Sequence, residues 1–200
     1  SEDHISPIEH PDFEDYFTSK MRMFAQTDHA VVNLDADFAD RILEAAQAAG
    51  DVTTISQKDE NADYYAYQIR KDGHETKFSE EDYCLTMPGL FNVENALAVI
   101  AAAKILHIPD SCIHSGLLRA RSSGRMELYT SADKRVTAVV DYAHNKLSFE
   151  KLFGSTREEY PDHDIVAIFG CPGYKAYIRR KDLGLIAGEY SKKVYLVAED

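Results

Sequence analysis

Apolar side chains recur at three- and four-residue steps through residues 11–25, PDFEDYFTSKMRMFA. Phe13, Tyr16, Phe17, Met21 and Phe24 would share one face, and the spacing predicts a helix. HAVVNLDAD runs apolar and then polar, a strand ending over Asn33–Asp37. FADRILEAAQAA returns to helical spacing, with Gly50 as its stop. VTTIS predicts a second strand. YYAYQIRKDGHETKFS alternates around Asp72-Gly73, a dipeptide suited to tight hairpins. DYCLTMP predicts another strand before a break at Gly89, and helices follow over about 91–107 and 109–119.

The pattern changes after the turn-rich RARSSGR. RMELYT and RVTAVVDYA predict paired strands, and KLSFEKLFGSTREEY an amphipathic helix. DIVAIFGCPG predicts a buried strand ending in a Gly/Pro loop, RRKDLGLIAGEYS a helix, and KVYLVAED a last strand. Strand–helix–strand–helix–strand implies an α/β fold with a parallel sheet and helices on its faces. The change of pattern puts a domain boundary at Ser122–Gly124, dividing the chain into residues 1–123 and 124–200.

Charge narrows the partners. The 200 residues carry 34 acidic and 22 basic side chains, a net charge of −12, which argues against nonspecific binding to nucleic acid or an anionic membrane. No apolar stretch is long enough to cross a bilayer and no signal peptide is present, so no membrane insertion is expected. Cys84, Cys112 and Cys171 are widely spaced, without zinc-ligand spacing, and read as reduced cytoplasmic thiols. SEDHISPIEH opens without Met and KKVYLVAED stops as a strand finishes, so a piece of a longer protein is expected.

In open parallel sheets, ligands bind beyond the carboxyl ends of the strands. Three polar clusters fall at such ends: Asp35 and Asp37; Asp141, His144 and Lys146; and Lys175, Arg179, Arg180 and Lys181. The basic cluster suits phosphates, or is a solvated helix face. Asp141 is either a site residue or the cap of the helix starting near Lys146. Arg125 stands at a strand start, where a rim salt bridge to Glu127 is the simple alternative. Asn92 and Asn95 lie on one side of the first turn of an apolar helix, to cap it or to hold a ligand. Asp3 and His4 could bind Mg²⁺. Lys20, among apolar residues, snorkels to water or is made reactive by desolvation. No GxxxxGKS/T loop is present to cradle a triphosphate.

Six segments in this order resemble the Mur ligases, most closely the UDP-N-acetylmuramoyl-tripeptide synthetase (MurE-type) branch. They are DH…YFTSKMRMF, VVNLDAD, GLFNVENALAVIAAA, GRMEL, VVDYAH and FGCPG…RRKDLG. The resemblance implies the second half of a central ATPase domain, followed by the first part of a Rossmann-like C-terminal domain. The P-loop and a UDP-binding domain would lie upstream. It implies a bacterial cytoplasmic, ATP-dependent ligase that joins an amino acid to a UDP-MurNAc-peptide, with ATP and Mg²⁺ as cofactors and an acyl phosphate intermediate. This piece alone would be inactive. A related ligase of the folylpolyglutamate type, acting on another acceptor, is the alternative.

Carried over residue by residue, the resemblance places Asn92 and Asn95 against adenine and Arg125 near the phosphates. Asp141 and His144 would lie around the ribose and adenine, and Lys175 and Arg180 complete the nucleotide set. His4 would bind Mg²⁺, and Lys20 would be carbamylated to bind it too, because CO₂ converts a neutral amine into an anion with two oxygen donors. The chain departs from the family wording at PGYKAYIRRKD, where Lys175 replaces an Arg and Lys181 a Pro, and at NK after DYAH, where Thr-Pro is usual. Asp200 falls on the Asn of the amino-acid-selecting DNP motif.

Overall fold

A computed structural model describes residues 10–72, 75–79, 83–171 and 177–198. The chain forms two compact units, Pro7–Ala120 and a second that contains Arg121–Asp200.

The first unit is built on a parallel sheet of β1 (His29–Asn33), β2 (Asp51–Ser56) and β3 (Tyr64–Tyr65), in that order. Both faces of β1 are covered, as parallel strands require. Ala30 and Val32 are buried with Phe24 and Ala46 on one side, beside α2 (Ala39–Ala46). Val31 packs on the other side into a core with Ile55, Val93, Leu97 and Ile100. Those last three belong to α3 (Phe91–Ile105), whose apolar spacing is met by the sheet below it. Each such buried aliphatic side chain stabilises the fold by about 1.5–3 kcal/mol. An antiparallel sheet of β4 (Arg70–Asp72), β5 (Glu75–Phe78) and β6 (Tyr83–Leu85) adds Phe78 and Leu85 to the same core, and α4 (Asp110–Arg119) adds Ile113 and Leu117.

Several local expectations change. The first helix, α1 (Phe13–Met21), passes into a 3-10 turn over Arg22–Gln26. Phe24 in that turn is buried, whereas no residue of α1 is. The strand HAVVN, by contrast, ends within its expected limit, at Asn33, whose Oδ1 accepts the Asp35 N–H at 2.9 Å and turns the chain. The long alternating run splits in two. Gln68 has φ +50°, so Tyr64–Tyr65 joins the parallel sheet while Arg70–Asp72 pairs with Glu75–Lys77 as the hairpin. Gly73 itself lies outside the described residues.

Gly50 does not cap α2, which ends at Gln47 through short-range turns. Its constraint is a close approach: a Cβ there would stand 2.7 Å from the Asp28 carbonyl oxygen, which accepts the Asp51 N–H at 2.8 Å. Gly50→Ala must push the chain off the start of the β1–β2 ladder. It is expected to cost about 1–3 kcal/mol, measured as a lower denaturation midpoint; an unchanged midpoint would refute it.

Thr54 and Asp63 clamp β2 to the following loop. One carboxylate oxygen of Asp63 accepts both the Thr54 N–H and its hydroxyl at 2.7 Å. These bonds, the backbone N–H foremost, hold the Asp63 carboxyl below its ordinary value of 3.8. A depressed carboxyl contributes stability that is complete above the unfolded value and lost as pH falls through the folded one. Acid destabilisation therefore sets in below about pH 4. Asp63→Asn is expected to flatten that acid limb in pH-resolved denaturation, and an unchanged limb would remove Asp63 from the account.

In the second unit β7 (Glu127–Thr130) and β8 (Thr137–Val140) pair antiparallel, and β9 (Val166–Phe169) and β10 (Lys193–Leu196) pair parallel. The helices α5 (Lys146–Glu159) and α6 (Tyr177–Tyr190) supply Phe149, Phe153, Leu183, Ile186 and Ala187 to a core with Ala167. Among the described residues that is the covered side of β9. Val166 and Ile168, which the sequence places in a buried strand, are 53% and 69% exposed. Ala167 faces the helices and its neighbours face away from them.

Candidate functional site

The loops following β8 and preceding β7 carry the densest constellation. Gly124 (φ +67°) and Met126 (φ +47°) are both left-handed and flank Arg125, whose N–H is bonded to the Ser122 carbonyl at 3.1 Å. A left-handed backbone is unfavourable for Met, so something must hold it. Asp141 does. Its Oδ2 accepts the Met126 N–H at 2.8 Å and its Oδ1 the Ala143 N–H at 2.7 Å. Asp141 is thus not the cap of α5. Asn145 caps that helix, accepting the Ser148 N–H at 2.9 Å while the Ser148 hydroxyl accepts the Asn145 N–H at 3.0 Å. Ser148 also receives the His144 N–H at 3.1 Å, fixing the loop to the helix start.

His144 Nδ1 lies 2.9 Å from the Tyr142 carbonyl oxygen. A carbonyl only accepts, so Nδ1 carries the proton and, in the neutral ring, Nε2 is an acceptor. The Tyr142 ring stands 4.8 Å from that of His144 and 5.1 Å from the Arg125 guanidinium. Tyr142 was not singled out by sequence; its place inside DYAH between two site candidates was the available signal. Arg125 makes no rim salt bridge to Glu127. The Glu127 carboxylate accepts the Gly124 N–H at 3.0 Å and the Tyr129 hydroxyl at 2.7 Å, bonds that hold its carboxyl below the usual range.

In the first unit Asn92 is buried and donates from Nδ2 to the Pro88 carbonyl at 2.7 Å. Its Oδ1 accepts from Asn95 Nδ2 at 3.1 Å. Neither amide caps α3, whose first N–H groups bond the carbonyls of Gly89 and Leu90. Asn92 anchors the turn and orients Asn95, which is exposed and, among the described residues, leaves Oδ1 and one amide hydrogen unbonded. The strand-end pair Asp35 and Asp37 diverges. Asp35 is spent on the Ser56 hydroxyl at 2.7 Å and the Gln57 N–H at 2.6 Å, and Asp37 is exposed. Ser56, buried, also receives the N–H groups of Lys58 and Asp59, a hub that the sequence pattern did not reveal.

Lys20 is exposed in the last turn of α1, its Nζ 5.8 Å from the centre of the Tyr16 ring. Lys146, Arg180 and Lys181 are exposed and Arg179 is half-buried. His4, Asp3, Lys175 and Asp200 lie outside the described residues. Among the described residues no three His, Cys, Asp or Glu side chains cluster as a metal site, and no helix is long and apolar enough to cross a membrane.

Two family models match in order. Residues 1–103 match the Mur ligase middle domain and residues 124–200 the Mur ligase, glutamate ligase domain. The chain is 33% identical to a "UDP-N-acetylmuramoyl-L-alanyl-D-glutamate--L-lysine ligase" of Enterococcus faecalis, over 99% of this chain and 41% of the relative. It is 34% identical to a "UDP-N-acetylmuramyl-tripeptide synthetase" of Bifidobacterium longum, over 100% of this chain and 42% of the relative. Among solved structures, MurF from Acinetobacter baumannii has a TM-score of 0.75 at 21% identity, over 98% of this chain and 44% of that one. The chain spans about two-fifths of the length of these relatives. With both domain models matched in order, the chain belongs to the Mur ligase family.

Proposed function

We propose that the protein carrying this chain is an ATP-dependent, ADP-forming ligase that joins an amino acid to a UDP-MurNAc-peptide. The observation that carries the reading is the ordered match to both Mur ligase domains, together with relatives at 33–34% identity named as ligases or synthetases of that precursor. ATP's terminal phosphoryl group passes to a carboxylate of the peptide, giving an acyl phosphate and ADP. The amine of the amino acid attacks the acyl carbon, and phosphate leaves.

The residues suit a nucleotide. Asn95 offers an amide hydrogen and an amide oxygen side by side, the donor–acceptor pair that matches N7 and the N6 amino group of adenine. Arg125 presents a planar guanidinium suited to phosphate oxygens. His144 Nε2 accepts from a ribose hydroxyl or an amino group. Asn92 and Asp141 act behind these groups. Asn92 holds Asn95, and Asp141 holds the Arg125 turn. Lys175 and Arg180 are the further basic groups proposed for the phosphates.

Mg²⁺ belongs to the same reading and would offset charge on the transferring phosphoryl group. The described side chains alone do not assemble a site for it. The donors proposed are His4 and Lys20, the latter through a carbamate, because an ammonium is no ligand for a hard cation.

The test is phosphate release by the whole protein with ATP, Mg²⁺ and UDP-MurNAc-dipeptide against L-lysine, diaminopimelate and L-ornithine. Release that depends on one amino acid is expected. ATP binding without release with any of them would move the reading to another acceptor, such as a folate polyglutamate, which the unusual segment PGYKAYIRRKD keeps in view.

A further inference from the structure

Arg125 sits in a loop with two carboxylates close in sequence and fold, yet neither neutralises it. Glu127 is turned onto the Gly124 N–H and the Tyr129 hydroxyl. Both oxygens of Asp141 are taken by backbone N–H groups. What faces the guanidinium is the Tyr142 ring, at 5.1 Å. That ring is 61% exposed, so burial of apolar surface does not account for its place. His144 flanks it: the Tyr142 carbonyl accepts from His144 Nδ1 at 2.9 Å, and the two ring centres lie 4.8 Å apart.

The chemistry of the two possible holders differs. A carboxylate would orient the guanidinium but cancel its charge and occupy its N–H groups. An aromatic face attracts the cation through its quadrupole and leaves both the charge and the in-plane N–H donors for an anion. We propose that Tyr142 is the positioning residue for Arg125, its ring holding the guanidinium in the orientation that meets the nucleotide's phosphates. The inference rests on the nucleotide reading of Arg125 and assigns a role to a residue outside the proposed contact set. It also gives DYAH an internal logic. Asp141 fixes the turn that carries Arg125, Tyr142 fixes the side chain, and His144 flanks Tyr142.

The test is a double-mutant cycle on the whole protein, with ADP binding in Mg²⁺ buffer read by calorimetry and folding by thermal denaturation. Tyr142→Leu is expected to weaken ADP about three- to tenfold with Tm unchanged. Tyr142→Phe, which keeps the ring, should restore binding to within about twofold of wild type. In an Arg125→Met background, Tyr142→Leu should have no further effect, because the group it positions is gone. The proposal is overturned if Tyr142→Leu binds as wild type does, or if Tyr142→Phe is as weak as Tyr142→Leu. It is equally overturned if the two losses multiply in the double variant, which would put Tyr142 on the ligand directly or make it merely structural. Absence of ADP binding by the wild type would overturn it together with the nucleotide reading. ADP binding without phosphate release would sink the ligase reading alone.

Discussion

Asp141→Ala is expected to lower stability by about 2–4 kcal/mol and to weaken ADP binding in the same variant. The carboxylate accepts two backbone N–H groups at 2.8 and 2.7 Å, bonds of the charge-assisted kind. One of those donors belongs to Met126, which is 3% exposed and left-handed at φ +47°. Without the acceptor that N–H is stranded and the backbone strain is no longer opposed. The turn then relaxes and Arg125, its middle residue, moves with it. Asparagine is a poor substitute. It offers one oxygen, but its amide hydrogens would face the second N–H, so Asp141→Asn should recover less than half of the loss. Denaturant unfolding, followed for the two units separately because they need not unfold together, gives the first quantity, and calorimetry with ADP the second. A carboxylate that served only as a ligand contact would lower affinity and leave the midpoint in place. That result would remove Asp141 from the scaffold role.

What the sequence disclosed follows from the range of the interactions concerned. The helix over 91–107 and the strands VTTIS and KVYLVAED were legible because each is specified by its own apolar spacing; each element appears close to its expected place, the last as Lys193–Leu196. The split at Gln68 was not, because a single left-handed residue breaks an alternation that composition presents as continuous. Exposure of Ile168 was equally hidden, since burial depends on what packs against a face and not on the residue itself. At the candidate site the residue types were readable and their division of labour was not. Asp141 and Asn145 both stand near the start of α5, and only the three-residue step from Asn145 to Ser148 marks the true capping box. Asn92 and Asn95 look alike in sequence. The direction of one hydrogen bond, from Asn92 into Pro88, makes one the support of the other, which stays exposed.

Lys20 offers the sharpest separation of chemistry from folding. Lys20→Ala and Lys20→Arg are each expected to reduce phosphate release by about a hundredfold or more, the scale of removing one preorganised electrostatic group. Neither should move the denaturation midpoint by more than a few tenths of a kcal/mol. The side chain is exposed, contacts Tyr16 at 5.8 Å, and loses only the small benefit of a cation in the last turn of α1. The arginine variant is the informative one. It keeps the positive charge at the helix end and the means to lie over Tyr16, but a guanidinium does not take up CO₂. If Lys20 acts as a plain cation beside the phosphates, Lys20→Arg should retain most of the activity. If it acts as a carbamate, arginine is as poor as alanine, since the charge required there is negative. The wild-type rate should then fall in CO₂-depleted buffer and return with added bicarbonate, while both variants ignore it. Near-wild-type turnover by Lys20→Arg would end the carbamate assignment and leave His4 without its proposed partner at the metal.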